Sequence, residues 1–196
     1  MNPKQLTAVT KSLSAASISL LGLLRRLRHC YYRVAVVGDS MSPALHPGDY
    51  LLLRRGPASG VQAAGSLVAI RDATGRPLLK RVVGLPGESI RVGTDIQING
   101  VPLVERYAWG KTAEHQFRGV NRLGEDEYFL VGDNRTASTD SRDFGSIHRG
   151  RIDGIALFRY WPPERFGPLH KPERQFGEPP AEDTPTAIPS NLKTGG

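Results

Sequence analysis

Residues 66–84 read SLVAIRDATGRPLLKRVVG, and the fold class is clearest from this stretch. Two runs rich in aliphatic residues, 66–72 and 77–84, flank the turn-forming residues 73–77. Short aliphatic and β-branched runs that are separated by Gly and Pro are typical of strands joined by a turn. The stretch therefore predicts a pair of β-strands.

The same pattern continues on both sides of this pair. Further short runs lie between turn formers, and they read YRVAVVG, DYLLLRR, ESIRV, DIQINGVPL, EYFLVGD and GIALFRYW. The Asn99-Gly100 pair in one of them is typical of a hairpin turn. No segment of residues 33–161 has the long 3.6-residue apolar period of a helix. We therefore expect a mostly β domain over residues 33–161.

The net charge is distributed unevenly along the chain. The sequence has 196 residues, with 26 Lys and Arg against 19 Asp and Glu, for a net charge of +7. Residues 1–33 contribute +6, residues 34–161 contribute +2 and residues 162–196 contribute −1. Because the central segment is close to neutral, a uniformly basic nucleic-acid-binding domain is a poor fit. The single cysteine, Cys30, excludes an internal disulfide and a cysteine-cluster metal site.

Residues 1–32 form a basic and partly apolar N-terminal arm. Its uncharged run, residues 12–24, spans about 20 Å as a helix, which is shorter than the roughly 30 Å hydrocarbon core of a membrane. Leucines recur in it at helical spacing, and a cluster of arginines follows at once. We expect a short helix that lies on a membrane surface or inserts marginally. A solvated arm and a cleavable targeting peptide are the alternatives.

Residues 162–196 form a tail that is rich in proline. It contains eight prolines, and few large apolar residues follow Phe176. Such a segment buries too little apolar surface to offset the entropy lost on ordering. We therefore expect a disordered C-terminal tail.

The first candidate for chemistry is Ser40, which follows the apolar run 34–37 and the glycine at 38. A serine just past a strand is well placed to expose its hydroxyl, and Gly38 allows a substrate backbone to approach closely. A serine nucleophile needs a base, because its hydroxyl is scarcely ionised at neutral pH. No histidine lies in a telling motif, but a Ser-His-Asp triad stays open because its members need not be neighbours in sequence.

Lys80 is the second candidate and offers a different base. Strand alternation places it on one face with Leu78 and Val82. A lysine between apolar neighbours loses hydration, which lowers its pKa and makes its amine usable as a general base near neutral pH. The alternative is a lysine that extends to solvent from an edge strand.

A third group of polar residues, 132–145, reads GDNRTASTDSRDFG. Its carboxylates, hydroxyls and arginines can hold a loop in shape through Asp–Arg pairs and Asx turns, and a hydroxyl there can orient an amine. The alternative is a solvated polar loop. The interleaved arginines argue against a metal site at Asp133, Asp140 and Asp143, because they would neutralise it. We expect neither a metal nor a cofactor.

Taken in order, these segments resemble the type I signal peptidases of peptidase family S26, which are membrane-associated serine endopeptidases with a Ser/Lys dyad. The matching segments are GDSMSPALHPGD at 38–49, KRVVGLPGE at 80–88 and GDNRTASTDSRDFG at 132–145. Self-cleaving SOS repressors share a Gly-Asp-Ser-Met and a lysine but lack the last segment. The resemblance covers residues 34–161 and implies a signal-peptidase-like domain of packed antiparallel sheets.

The resemblance also implies roles for individual residues. It implies Ser40 as the nucleophile and Lys80 as the general base. The hydroxyl of Ser138 is implied to orient the lysine amine. Asp140 and Arg142 are implied to brace the loop that carries this serine.

A substrate pocket is implied around Gly38, Met41 and Leu45, with Met41 as a wall for the small side chain before the cut. Extended peptides would bind along a strand edge, the β-addition mode, and Ala-x-Ala-like sites would be selected. Neutral Lys80 would take the proton of Ser40 as it attacks the scissile carbonyl, and water would hydrolyse the acyl-enzyme. The oxyanion would be held by the backbone N–H of Ser40.

The implied partners are secreted or precursor proteins and a membrane surface, with no nucleic acid, and the implied location is the cell membrane. Arginines between the apolar run and the domain disfavour translocation of the domain, so a cytosolic or peripheral location is the alternative. Three other functions stay open. They are a maturation peptidase of the same family for one cytosolic precursor such as nickel superoxide dismutase, a self-cleaving repressor-type protein, and a non-catalytic binding module.

Overall fold

A computed structural model describes residues 28–56, 63–72, 74–116 and 118–177. Within these ranges the chain forms thirteen short strands. They are β1 (Tyr31–Ala35), β2 (Tyr50–Arg55), β3 (Leu67–Arg71), β4 (Pro77–Gly84), β5 (Ser89–Val92), β6 (Ile96–Ile98), β7 (Val101–Val104), β8 (Arg118–Arg122), β9 (Glu127–Val131), β10 (Ile147–His148), β11 (Ile152–Trp161), β12 (Gly167–Pro168) and β13 (Gln175–Phe176). The described helices are short, and they comprise residues 28–30, Ser141–Phe144 and the 3-10 helices Glu114–Gln116, Arg149–Arg151 and Pro163–Arg165.

The larger sheet has the strand order β1-β2-β11-β3-β4-β9-β10, with β12 paired to β11. The predicted pair over 66–84 forms β3 and β4, and Val68 lies opposite Lys80 in their antiparallel register. Their turn is held by Asp72, whose carboxylate accepts the backbone N–H groups of Thr74 and Arg76 at 2.8 and 2.9 Å. An Asx turn of this kind explains why the stretch folds back on itself. Because β4 lies between β3 and β9, it is a central strand.

The smaller sheet has the order β13-β7-β6-β5-β8. Its β6–β7 hairpin turns at Asn99 and Gly100, whose φ angles are +52° and +84°. Positive φ at both positions is the requirement of a type I′ turn, which Asn-Gly meets at low cost. The hairpin predicted from this pair is confirmed.

The two sheets pack face to face. One core cluster joins Val83 and Phe129 of the larger sheet to Ile90, Ile96 and Leu103 of the smaller sheet. Each of these side chains is at most a few per cent exposed, so the cluster is a closed apolar interior between the layers. The predicted mostly β domain of packed antiparallel sheets is therefore confirmed.

The N-terminal arm lies largely outside the described residues, as does its predicted helix over residues 12–24. Residues 28–30 are helical and exposed, and β1 follows them directly. Within the described part of the chain, no helix has the length and apolar character needed to cross a membrane.

The C-terminal region differs from the prediction of a tail that is disordered from residue 162. Residues 162–177, here called the C-terminal strap, continue the fold, because β12 pairs with β11 and β13 pairs with β7. Arg174 in the strap forms a two-pronged ion pair with Glu88, at 2.6 and 2.9 Å, and also donates to the carbonyl of Val83. The prediction of disorder is wrong for the strap, because it considered only how much apolar surface the segment can bury. Backbone hydrogen bonds to two strands and the ion pair with Glu88 hold the strap in place. Residues 178–196 lie outside the described residues.

Candidate active site

Ser40 and Lys80 meet although one lies in a loop and the other in a strand of the larger sheet. Ser40 is half-buried in the loop after β1, and Lys80 is in the middle of β4 with only 2% of its surface exposed. The Nζ atom of Lys80 lies 3.2 Å from the Oγ atom of Ser40, which is hydrogen-bonding distance. The lysine therefore does not extend to solvent, and among the described residues it is the side chain that hydrogen-bonds to this serine. The geometry favours Lys80 over a histidine as the partner of Ser40.

The surroundings of Lys80 favour its neutral form. Burial lowers the pKa of Lys80, because an ammonium group loses hydration inside the domain. The carboxylate of Asp140 opposes this shift, and the guanidinium of Arg142 adds to it. Burial is the largest of these effects, so the pKa of Lys80 lies below the ordinary lysine value. An amine of this kind can accept a proton from a neighbouring hydroxyl.

Close approach of two loops holds Ser40 in place. The backbone N–H of Asn134 donates to the carbonyl of Ser40 at 3.1 Å, which joins the serine to the polar loop after β9. Gly132 makes this approach possible, because a Cβ atom at 132 would lie 2.6 Å from the Ser40 carbonyl oxygen and 2.2 Å from the Oγ of Ser138. Any side chain at 132 would force these groups apart.

Ser138 lies in the same region, but the structure gives no hydrogen bond between it and Lys80. The residue is 7% exposed and its Oγ atom is buried. Its hydroxyl lies close enough to Asp140 to help lower the pKa of that carboxyl. Its predicted role in orienting the lysine stays a prediction.

Asp140 and Arg142 form a fully buried ion pair. Two nitrogen atoms of the guanidinium each lie 2.8 Å from a carboxylate oxygen, and both side chains are inaccessible to solvent. Asp140 also accepts the backbone N–H of Gly132 and caps the short helix Ser141–Phe144. Burial acts to raise the pKa of Asp140, but the hydrogen bonds and charge of Arg142 outweigh it and lower this pKa. The pair therefore connects β9, the loop and the helix.

A second buried ion pair supports the strand that carries the lysine. Arg81 follows Lys80 in β4, and its Nε atom donates to Asp133 at 2.7 Å. Its guanidinium also lies 4.8 Å from the centre of the Tyr107 ring. Tyr107 donates to Glu105 at 2.6 Å, and Glu105 in turn pairs with Arg135 at 2.6 Å. Glu105 and Tyr107 were not predicted from the sequence, because they lie outside the three matching segments and belong to no recognisable motif.

The residues predicted for the substrate pocket lie in two different environments. Gly38 is exposed, with φ of +85° and open space where a side chain would be. Met41 and Leu45 are 1% and 0% exposed and pack in a core cluster with Val36 and Leu51. The structure places Met41 and Leu45 in the core and not at an open pocket, because the segment turns inward after Ser40. Their part in substrate binding stays a prediction.

No candidate metal centre stands out in this region. Across the ranges that the structure describes, no three His, Cys, Asp or Glu side chains are arranged to hold a metal ion. The buried carboxylates named above each pair with an arginine instead.

Comparison with known proteins gives one consistent family. The family model described as "Signal peptidase, peptidase S26" matches residues 10–161. Signal peptidase I of Leptolyngbya laminosa is 31% identical over 173 residues, which cover 83% of each chain. Signal peptidase I T of Bacillus subtilis (strain 168) is 34% identical over 156 residues, which cover 73% of this chain and 80% of that protein. A crystal structure of a signal peptidase I from Enterococcus faecalis V583 aligns with a TM-score of 0.42 and 28% identity, covering 50% of this chain and 98% of that one.

Proposed function

The chain belongs to the signal peptidase family, peptidase S26, and is a serine endopeptidase; from that membership we propose that it removes signal peptides from secreted or precursor proteins with a dyad of Ser40 and Lys80. The observation that supports the dyad is the 3.2 Å contact between Ser40 Oγ and Lys80 Nζ. The burial of Lys80 supports its role as the base, because a charged ammonium group could not accept the serine proton.

The chemistry begins with the neutral amine of Lys80. It accepts the hydroxyl proton of Ser40 as Oγ attacks the carbonyl carbon of the scissile bond. The resulting ammonium group then gives its proton to the leaving amine as the C–N bond breaks, and an acyl-enzyme forms. In the second half, Lys80 takes a proton from water as the water oxygen attacks the ester carbonyl. Ser40 then recovers its proton from Lys80 as the ester bond breaks.

The oxyanion formed in each half needs hydrogen-bond donors. We assign the backbone N–H of Ser40 to this role, because it belongs to the residue that carries the attacking Oγ atom. Gly38 has no side chain and offers no hydroxyl as a second donor. A second donor at this place would have to be a backbone N–H or water.

The substrate is proposed to bind as an extended strand near the edge of the larger sheet. β1 is an edge strand, since among the described strands it pairs with β2 alone. Residues 37–39 continue from it toward Ser40 and are exposed, with Val37 at 90%. An extended peptide can pair with such a backbone, and Gly38 leaves room for it. The preference for small residues before the cut is proposed from the family resemblance alone, since Met41 and Leu45 lie in the core.

The proposal is tested by cleavage of a synthetic presequence with an Ala-x-Ala site. Ser40→Ala and Lys80→Ala are each expected to lower kcat/KM by at least about a thousandfold, because each removes one half of a unit that acts together. Wild-type activity is expected to rise with pH as Lys80 loses its proton, with a midpoint below the ordinary lysine pKa. The matched control is Lys171→Ala, which changes an exposed lysine. Wild-type-like cleavage by either dyad variant would refute the dyad.

We further propose that the domain works at a membrane surface. Tyr50, Trp161 and Phe166 are large aromatic side chains that are 42%, 51% and 65% exposed. Trp161 pairs with Tyr50 across β11 and β2, and Phe166 packs on Phe158 of β11 with ring centres 4.7 Å apart. Aromatic side chains of this kind suit the interface between lipid and water. The basic arm, with +6 in residues 1–33, adds attraction to anionic headgroups.

Separation of cells into membrane and soluble fractions tests the location. The proposal expects the protein with the membranes, released by high salt or detergent. Recovery in the soluble fraction, together with processing of one cytosolic precursor, would instead support the dedicated maturation peptidase.

A further inference from the structure

A buried carboxylate lies at the end of the loop that carries Ser40. Asp49 is completely inaccessible to solvent and directly precedes β2. Its Oδ2 atom accepts the backbone N–H of His46 at 3.0 Å and lies 3.1 Å from the guanidinium of Arg159. Its Oδ1 atom lies 2.7 Å from the guanidinium of Arg165. Two arginines therefore converge on one carboxylate.

Arg159 contacts the middle and the last residue of this loop, residues 41–49. Its Nη1 atom donates to the carbonyl of Ala44 at 3.2 Å as well as to Asp49. Its Nε atom donates to the carbonyl of Arg165 at 2.6 Å, at the end of a 3-10 helix in the C-terminal strap. One side chain on β11 thus joins the middle of the loop, its last residue and the strap. Such a fork of donors is available to arginine and not to lysine.

The two members of the dyad are held in different ways. Lys80 is fixed by the backbone pairing of a central strand. Ser40 lies outside the strands, and its position depends on the contacts of the loops around it. A displacement of about 1 Å between reacting groups can lower a rate by about a hundredfold.

We propose that Arg159 and Asp49 are a positioning pair that holds the loop 41–49, and through it Ser40, at hydrogen-bonding distance from Lys80. Among the contacts that the described residues make, neither side chain bonds to Ser40 or Lys80, so their effect on the reaction passes through the loop. The inference rests on the proposed peptidase function for its effect on rate, but not for its effect on the loop.

Arg159→Gln is a suitable test, because Asp49 keeps its ion pair with Arg165 and is not left unpaired in the interior. Arg165→Gln is a milder change, since this side chain is 34% exposed and its backbone carbonyl still accepts from Arg159. Asp153→Asn is the matched control on the same strand. Asp153 pairs with Arg71 at 2.7 Å, but their side chains are 32% and 55% exposed and lie away from the loop.

The first measurement is peptide cleavage by these three variants. Arg159→Gln is expected to lower kcat by about 10- to 100-fold with KM unchanged, because substrate binding stays and only the reacting geometry is lost. Arg165→Gln is expected to lower kcat by less than about threefold, and Asp153→Asn to leave it unchanged. A kcat for Arg159→Gln within about twofold of wild type would overturn the proposal, as would an equal loss in Asp153→Asn.

The second measurement is amide hydrogen exchange, which does not depend on activity. The amides of Leu45 and His46 are expected to exchange faster in Arg159→Gln than in wild type, and at wild-type rates in Asp153→Asn. Unchanged exchange in Arg159→Gln would overturn the positioning pair even if the enzyme cleaves the peptide. If the wild-type protein cleaves no presequence, the proposed function is overturned. Faster exchange in Arg159→Gln would in that case still support the positioning pair.

Discussion

At the scale of single residues, Lys80 combines two opposing requirements. A lysine that is 2% exposed loses the hydration of its charge, and the structure provides partial compensation from the Asp140 carboxylate. The same burial that supports a neutral amine for catalysis makes the side chain unfavourable for stability. Sites that trade stability for a perturbed pKa are typical of active centres.

Lys80→Met is therefore expected to stabilise the fold at neutral pH while it abolishes cleavage. In the unfolded wild-type chain the lysine pKa is near 10.4, and in the folded chain it is lower. Between these two values the unfolded chain binds more protons, so wild-type stability rises with pH through this window. The difference in free energy of unfolding between Lys80→Met and wild type is expected to shrink as the pH rises toward about 10. Urea unfolding of both proteins from pH 6 upward measures it, with Lys171→Met as the exposed control.

A constant difference between Lys80→Met and wild type over this range would contradict the lowered pKa. A Lys171→Met variant is expected to follow the wild-type curve, because residue 171 is exposed.

At the scale of structural elements, the approach of the loop after β9 to the loop after β1 depends on one missing side chain. Gly132 lies where these two loops meet, and Asp140 accepts its backbone N–H at 2.9 Å. Asp140 and Arg142 hold the far side of the loop by their buried ion pair. The loop is therefore rigid on one side and closely packed against Ser40 and Ser138 on the other.

Gly132→Ala is expected to lower the free energy of unfolding by about 1–3 kcal/mol, as overpacking of a tight site does. It is also expected to lower kcat, because the new Cβ atom would lie 2.6 Å from the Ser40 carbonyl oxygen and displace it. Gly119→Ala is the control, since a Cβ atom there has nothing within 4 Å. Urea unfolding and presequence cleavage measure both effects. Equal behaviour of the two alanine variants would contradict the close packing.

At the scale of the whole molecule, the C-terminal strap ties the two sheets together. It leaves β11 of the larger sheet, passes Gly65, and ends in β13 beside β7 of the smaller sheet. A Cβ atom at Gly65 would lie 2.4 Å from the carbonyl oxygen of Pro172, which shows how closely the strap packs. Arg174 then joins it to Glu88 and to the end of β4. The strap thus contacts the strand that carries Lys80.

Arg174→Ala is expected to lower the free energy of unfolding by about 1–3 kcal/mol, because it leaves a half-buried Glu88 without its ion-pair partner. Arg71→Ala removes an exposed ion pair with Asp153 and is expected to cost less than about 1 kcal/mol. Chemical denaturation of the two variants beside wild type compares them. If the two losses were equal, the ion pair of Arg174 would stabilise the domain no more than an exposed ion pair does.

Reasoning from sequence succeeded where the signal is local. The strand pair over 66–84 and the Asn99–Gly100 hairpin follow from aliphatic runs and turn chemistry, which depend on neighbouring residues alone. The apolar neighbours of Lys80 predicted its desolvation, and the structure agrees. The disorder expected for residues 162–177 was wrong, because backbone pairing with β7 and the ion pair with Glu88 involve partners far away in the chain.

The amino-acid pattern alone was enough for the mostly β class, for naming Ser40 and Lys80 as candidates and for the family resemblance, since each rests on residue type and short-range order. The folded chain was needed to bring Ser40 and Lys80 to 3.2 Å, to turn Met41 and Leu45 into the core and to join Asp49 with Arg159. These results depend on strand order and on burial shared between distant segments. No local spacing encodes them, because the energy that selects them comes from packing of the whole domain.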